Sequence, residues 1–400
     1  MRCMKFNIWK DCERKPLPEV LSFIVDNRGK TVPVDPEGNH VLIATNCVRN
    51  ESLYPSYEKI RTLNEETYQN WFRAHPVPGD ILFVCKGTPG RCCLVPDPID
   101  FCIAQDMVAL RANPVIVDNH YLLAVLRSQE IQNQIINTSV GDVIPHFKKR
   151  FFDTLMIPVP PMEVQKIIGD YYFTFCEKIE MSTKVSNTLL EQATAIFKKR
   201  CASFESVPAG WKESSLTGIA NYLNGLAMQK FRPQAGEDAL PVLKIRELRQ
   251  GNVDQNSDEC SANINVEYIV NDGDVIFSWS GSLLVDFWCG GKCGLNQHLF
   301  KVTSQKFDKW FYYAWTDFYL RRFVAIAADK ATTMGHIKRG DLQKAKVLIP
   351  SEAEYEELGA ILRPMYDSVI ENRIDNRRLE ALRDTVLPKI MSGKVSVEDE

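Results

Sequence analysis

Few residues in this chain are spaced for covalent chemistry. Methyl transfer to a base turned out of its duplex would use an Asn/Asp-Pro-Pro-aromatic motif to hold that base against the methyl donor. Asn113-Pro114-Val115 and Asp97-Pro98-Ile99 come nearest, and both lack the second proline and the aromatic. Gly290-Gly291-Lys292-Cys293-Gly294 has glycines and a lysine but not the Gly-x-x-x-x-Gly-Lys-Ser/Thr spacing of a phosphate loop. The 12 cysteines include no Cys-x-x-Cys pair; Cys92 and Cys93 are adjacent, and Cys289 and Cys293 are four apart. Zinc sites use two such pairs, or one pair with histidines. The cysteines therefore read as reduced, buried, small apolar residues. The six histidines form no metal-spaced cluster. No catalytic residue, metal or cofactor is expected from these patterns.

What does recur is a cationic pattern. His146 is followed by Lys148-Lys149-Arg150, and His336 by Lys338-Arg339. Adjacent cations after a loop suit phosphate oxygens; the other reading is a solvated basic turn. The net charge is −3, so bulk charge does not draw this chain to nucleic acid. Any such binding must rest on local patches or on partner subunits.

The elements that position these residues occur twice. Pro78-Gly79-Asp80-Ile81-Leu82-Phe83 matches Asp272-Gly273-Asp274-Val275-Ile276-Phe277, with Gly79 and Gly273 194 positions apart. Gly87 of Lys86-Gly87-Thr88 meets Gly281 of Ser280-Gly281-Ser282 at the same separation of 194. Gln105 meets Gln297 at 192, Ile144-Pro145-His146 meets Met334-Gly335-His336 at 190, and Ile157-Pro158 meets Ile349-Pro350 at 192. Ile179-Glu180 follows with Ile370-Glu371 at 191, and Trp9-Lys10 pairs with Trp211-Lys212 at 202. The common order and near-constant offset indicate two copies of a whole unit, since the period is far too long for a solenoid.

Each copy begins with a mixed segment of short β-like runs broken by Gly and Pro, among them Gly87-Thr88-Pro89-Gly90, which reads as a turn between strands. A long helical pattern follows. In the first copy its apolar stripe is Val164, Ile167, Ile168, Tyr171, Phe175, Ile179, Val185, Leu189, Ala193, Ile196 and Phe197. In the second it is Tyr355, Leu358, Ile361, Leu362, Met365, Val369, Ile374, Leu379, Leu382, Val386 and Ile390, with Pro364 expected to kink or split the helix. Each pattern spans about 35 residues, or ~50 Å. A helix apolar on one face needs a partner. Its own copy, packed antiparallel, is the economical one; the alternative is that each helix packs on its own domain. A chain of 400 residues exceeds one core, consistent with several domains. No run of ~20 apolar residues predicts a membrane span, and Met1 to Trp9 lacks a signal-peptide core. A cytoplasmic location is the default expectation.

In this arrangement the chain resembles the specificity subunits of type I restriction–modification enzymes. Three stretches carry the resemblance. They are Pro78 to Phe83 with Lys86 to Gly90 and the copy at 272–282; the junction Ile157-Pro158-Val159-Pro160-Pro161-Met162-Glu163-Val164-Gln165-Lys166-Ile167; and Leu379 to Asp384 with Leu387 to Lys394. The second junction, Ile349-Pro350-Ser351-Glu352-Ala353-Glu354, departs from the first by lacking the double proline and the glutamine.

The resemblance implies an α+β fold with pseudo-two-fold symmetry, in which two duplicated target-recognition domains are separated by two long antiparallel helices forming a coiled-coil-like spacer. The expected boundaries are 1–157 for the first recognition domain, 158–205 for the first spacer helix, 206–349 for the second domain, and 350–400 for the second helix and tail. It implies a non-catalytic subunit binding double-stranded DNA with a bipartite target, partnered by two modification (methyltransferase) subunits and by restriction subunits. Position and side-chain chemistry pick out candidate DNA contacts. In the first domain these are Lys86, Thr88, Arg91, His146, Lys148, Lys149 and Arg150. In the second they are Lys244, Arg246, Ser280, Ser282, His298, Thr332, Thr333, Lys338 and Arg339. Two alternatives stay open: a DNA-modifying enzyme, methyltransferase or nuclease, with unrecognised motifs, and a DNA-independent assembly scaffold. Because the adenine-holding motif is missing, calorimetry of the isolated chain with S-adenosylmethionine should show no stoichiometric binding; a one-to-one complex would favour the enzyme.

Overall fold

A computed structural model of the chain describes residues 6–27, 31–141, 143–204, 206–329 and 337–394. The chain divides into two compact units, 1–181 with 379–400 and 182–378.

In the first unit the decisive element is the strand Ile81–Val84, whose four side chains are all buried. Successive strand residues point to opposite faces, so an all-apolar strand must be covered on both. It lies inside an antiparallel sheet of order Leu21–Val25, Met107–Ala112, Ile81–Val84, Cys92–Leu94. Ile81 and Phe83, with Val108 and Leu110, pack on the helix Asn119–Arg127 and on Ile168 and Tyr172. Leu82 and Val84, with Met107 and Ala109, pack on Ile43, Val48 and Ile103. That second face is supplied by a smaller sheet, in which His40–Ile43 pairs parallel with Phe101–Ile103 and antiparallel with Arg61–Leu63.

The second unit repeats this topology. Its sheet runs Asn221–Asn224, Leu299–Thr303, Val275–Ser278, Leu284–Phe287. Val275 and Phe277 face an aromatic core from the helix Lys309–Asp329, and Ile276 faces Leu243, Trp288 and Leu295. The smaller sheet again has one parallel pair, Ala239–Leu243 with Cys293–Leu295, and gains an edge strand, Ile269–Val270. Gly79 and Gly273, aligned in the sequence, both hold φ near +84° (85° and 83°) in the turn entering the central strand, a conformation that favours glycine.

In each unit the first and last strands of the domain pair with each other. Glu13–Pro16 runs antiparallel to Met156–Val159, and Lys212–Ser215 to Lys346–Ile349. A long helix starts directly after each ribbon: Met162–Cys201 and Glu352–Met391, 40 residues each. In the first unit, Tyr172 and Cys176 of the first helix share a core with Leu387 and Ile390 of the second, and the Arg383 guanidinium lies 5.8 Å from the Tyr172 ring centre. In the second unit, Asn376 donates to Thr183 Oγ1 at 3.1 Å, Asn372 to Ser186 Oγ at 3.2 Å, and Arg200 to Glu357 at 2.9 Å. In the second unit the first helix's numbers rise as the second's fall, so the pairing there is antiparallel.

Both packing expectations therefore hold at once, because the first half of each helix also lies on its own domain. Pro364 does not split the second helix, which runs unbroken through it. Proline removes the one bond its N–H would give to Ala360, and the packed turns on either side retain theirs. The apolar stripes are narrower than expected. Val185, Ile361 and Leu382 stay exposed, and Tyr172, Cys176 and Tyr366 are buried instead, because part of the seam is the polar set Thr183, Ser186, Asn372 and Asn376. The described cysteines are free, and all but Cys12 are buried.

One cation ties the first unit together. Arg127 donates to the carbonyls of Ser52 at 2.6 Å and Cys92 at 2.7 Å, and to Tyr172 Oη at 3.2 Å. Losing it strands two inward-facing carbonyls, so Arg127→Leu should lower unfolding free energy by about 2–3 kcal/mol. Arg200→Leu, which breaks an exposed pair, should cost no more than about 1 kcal/mol. Urea unfolding of the two variants checks the contrast; equal losses would contradict it.

Candidate nucleic-acid interface

In the first unit the glycine turn and the basic segment, 60 positions apart in sequence, are neighbours. Phe147 N–H donates to the Cys85 carbonyl at 2.8 Å, and Gly87 N–H to the Pro145 carbonyl at 2.9 Å. Lys86 and His146 form an antiparallel bridge. Phe147 is buried and stacks on Phe152 at 5.8 Å, which fixes the start of the 3-10 turn Lys149–Thr154. Gly87 holds φ +89°, so the turn exposes Thr88 beside Arg91. Seven expected contacts, Lys86, Thr88, Arg91, His146, Lys148, Lys149 and Arg150, are thus brought to one end of the domain.

Their charges are not equally available. Lys149 is held by Asp26 at 3.2 Å, and Lys86 lies 4.0 Å from Asp106. Arg150 lies 4.9 Å from the Phe151 ring centre and is exposed. Among the described residues, Arg91, Lys148 and Arg150 have no carboxylate within ion-pair distance.

The second unit makes the equivalent link. Ile337 N–H donates to the Trp279 carbonyl at 2.9 Å, matching Phe147 and Cys85. Lys338, like Lys148, caps a short helix, Arg339–Gln343, and both Lys338 and Arg339 are exposed. Gly281 holds φ +64°, and Ser282 is exposed beyond it. Ser280 is buried, its hydroxyl 3.1 Å from His298 Nδ1, so it positions the imidazole. Thr332 and Thr333 lie outside the described residues.

Lys244 and Arg246 are placed differently. Arg246 bonds Glu247 at 2.6 and 2.9 Å, Asp254 at 3.1 and 3.2 Å, and Ser257 at 3.3 Å. Lys244 pairs with Asp258, whose carboxyl its hydrogen bond holds below the usual range. Both cations are engaged in bracing residues 254–258. Sequence reasoning had no means of seeing these acids as partners, because residues 8 and 14 apart do not touch within one helix or strand and meet here only through the intervening loop.

Other neighbours were also missed. Trp279 donates its indole N–H to Asn224 Oδ1 at 2.9 Å and lies 6.1 Å from His298, ring centre to ring centre. Gln297 Nε2 is 3.4 Å from His298 Nε2. The duplication does contain a signal for both: Trp279 lies two residues before the landmark Gly281, and Gln297 aligns with Gln105. Asn224 carries none. Among the described residues no group of three or more His, Cys, Asp or Glu is placed to hold a metal, and no helix is long and apolar enough to cross a membrane.

Residues 34–191 and 208–380 each match the family model described as the type I restriction modification DNA specificity domain. The chain belongs to that family. It is a DNA-recognition subunit and not itself the catalyst. It is 22% identical over 306 residues to the MjaIX specificity subunit of Methanocaldococcus jannaschii, covering 71% of this chain and 70% of that one. It is 26% identical over 318 residues to the EcoKI specificity subunit of Escherichia coli, covering 71% and 67%. The solved S subunit from M. genitalium shares the fold, with a TM-score of 0.55 at 14% identity over the whole of both chains.

For a specificity subunit the free cations become a measurable quantity. Changing Lys148 and Arg150 together to Ala should weaken binding to target and non-target duplex alike. It should also flatten the plot of log K against log salt by about two phosphate contacts, whereas Lys149→Ala should flatten it by less than one. Anisotropy titrations at several salt concentrations measure this. An altered target with an unchanged slope would make the pair base readers.

Proposed function

We propose that each recognition domain reads one half of a bipartite duplex target through the paired turn and basic segment at its tip. The observation that carries this is the equivalent backbone link in both units, Phe147 to Cys85 and Ile337 to Trp279. Duplicated geometry with different side chains suits one docking mode applied to two sequences. The Lys and Arg residues of the segment contact phosphate, while Thr88, His146, Ser282 and His298 face base edges. Lys244, Arg246 and Ser280 position the surface.

The modules in this proposal are 1–157 and 206–349, with 158–205 and 350–400 as spacers that dock two modification subunits. Restriction subunits complete a complex working in the cytoplasm. Support for modularity comes from the two ribbons, which bring the first and last strands of each domain side by side. A domain that starts and ends at one place can be exchanged without re-routing the chain.

Replacing residues 1–157 with the first domain of a relative should change one half-site and leave the other half and the gap intact, as read by methylome sequencing. Four residues inserted at Ser182 and four at Leu379 add ~6 Å to each helix. Duplex DNA rises ~3.4 Å per base pair, so the gap should grow by about one or two base pairs. A change in both half-sites from either manipulation would contradict independent reading.

A further inference from the structure

The segment leading into the basic turn exposes several apolar side chains. Ile136 is 64% exposed, Val140 38%, Val143 92% and Ile144 54%. Pro145 is exposed as well. Single exposed apolar residues are ordinary on a surface, but several crowded into one short stretch mark a contact site.

This stretch is stapled at its base. Val140 N–H donates to the His146 carbonyl at 3.1 Å, and His146 N–H to the Val140 carbonyl at 2.8 Å. Gly87 N–H then ties down the Pro145 carbonyl at 2.9 Å. Cations flank it: Lys148 and Arg150, free of carboxylates, and Lys86 across the bridge to His146. Exposed apolar side chains with cations beside them match what enters a stacked duplex. Proteins that kink DNA insert Ile, Leu, Met, Phe or Pro between base steps while cations hold the adjoining phosphates.

We propose that Val143, Ile144 and Pro145 form a wedge that enters the first half-site between base pairs and unstacks one step. The proposal rests on the reading of residues 144–150 as a DNA-facing surface and goes beyond it. It adds a deformation that would give specificity for flexible steps without hydrogen bonds to their bases.

The test uses the complex with its modification subunits and target duplexes carrying 2-aminopurine at successive positions of the first half-site. A purified Val143→Ser/Ile144→Ser chain is compared with wild type and with Val143→Leu/Ile144→Leu. Both variants change exposed side chains, and equal melting temperatures serve as the folding control. With wild type, fluorescence should rise at one step. The serine variant should lose that rise and bind target at least roughly tenfold more weakly, with an unchanged salt slope and unchanged non-target binding. The leucine variant should retain both. If wild type binds its target specifically but shows no rise at any position, or if the serine variant matches it, the wedge is overturned while the DNA-facing reading stands. If the serine variant instead fails to assemble with the modification subunits, the stretch is a protein contact and the wedge is overturned. If wild type shows no specificity for the first half-site at all, the underlying reading falls and the wedge with it.

Discussion

Two short strands, Ile81–Val84 and Val275–Ser278, are buried on both faces, and the recognition domains are organised by that constraint. A strand with apolar side chains on both sides has only one stable place, the interior of a sheet covered above and below. One cover is a helical layer continuous with the long helices. The other is a small sheet with a parallel pair. Once these covers are in place, the ends of the central strand are the positions where the chain turns. The glycine turn with Lys86 and Thr88, and its counterpart with Ser280 and Ser282, follow the central strands directly. The candidate surface is thus a by-product of burying four residues.

The second organising interaction is the ribbon at the foot of each domain. Because Glu13–Pro16 pairs with Met156–Val159, and Lys212–Ser215 with Lys346–Ile349, each domain is closed before its helix starts. Variation in the loops then need not disturb the helices. Cations reinforce the arrangement at points where sheet and helix meet. Arg127 does this in the first unit. In the second, Arg377 makes two bonds of 2.8 Å to Asp272, and Arg373 bonds Asp286 at 2.6 Å.

Much of this was legible before any coordinates. The duplication located both central strands, both glycine turns and both long helices, because landmarks at a near-constant offset survive where side chains differ. The links within the first site were partly legible too, since Gly87, His146 and the basic run are each marked by recurrence. What stayed hidden has a physical reason in each case. The helix Lys309–Asp329 buries Trp310, Phe311, Tyr312, Tyr313, Ala314 and Trp315 in succession, so no polar face marks its period, and aromatic runs favour strands. Pro364 advertises a break that packing overrides. Arg246 looks like a DNA contact until Glu247 and Asp254 are seen around it. The apolar residues Val143 and Ile144 before Pro145 carry no sequence mark of exposure, and only their accessibility sets them apart from core residues.

The central claim is that two equivalent surfaces, residues 85–91 with 144–151 and 279–283 with 337–343, meet DNA independently. Hydrogen–deuterium exchange of the assembled complex tests it most directly, comparing free complex with complex bound to a full target and to duplexes carrying one intact and one scrambled half-site. The account predicts slowed exchange in both sets with the full target, and in one set alone with each half-target. Protection of both sets by a single half-site, or protection confined to other parts of the domains, would contradict it.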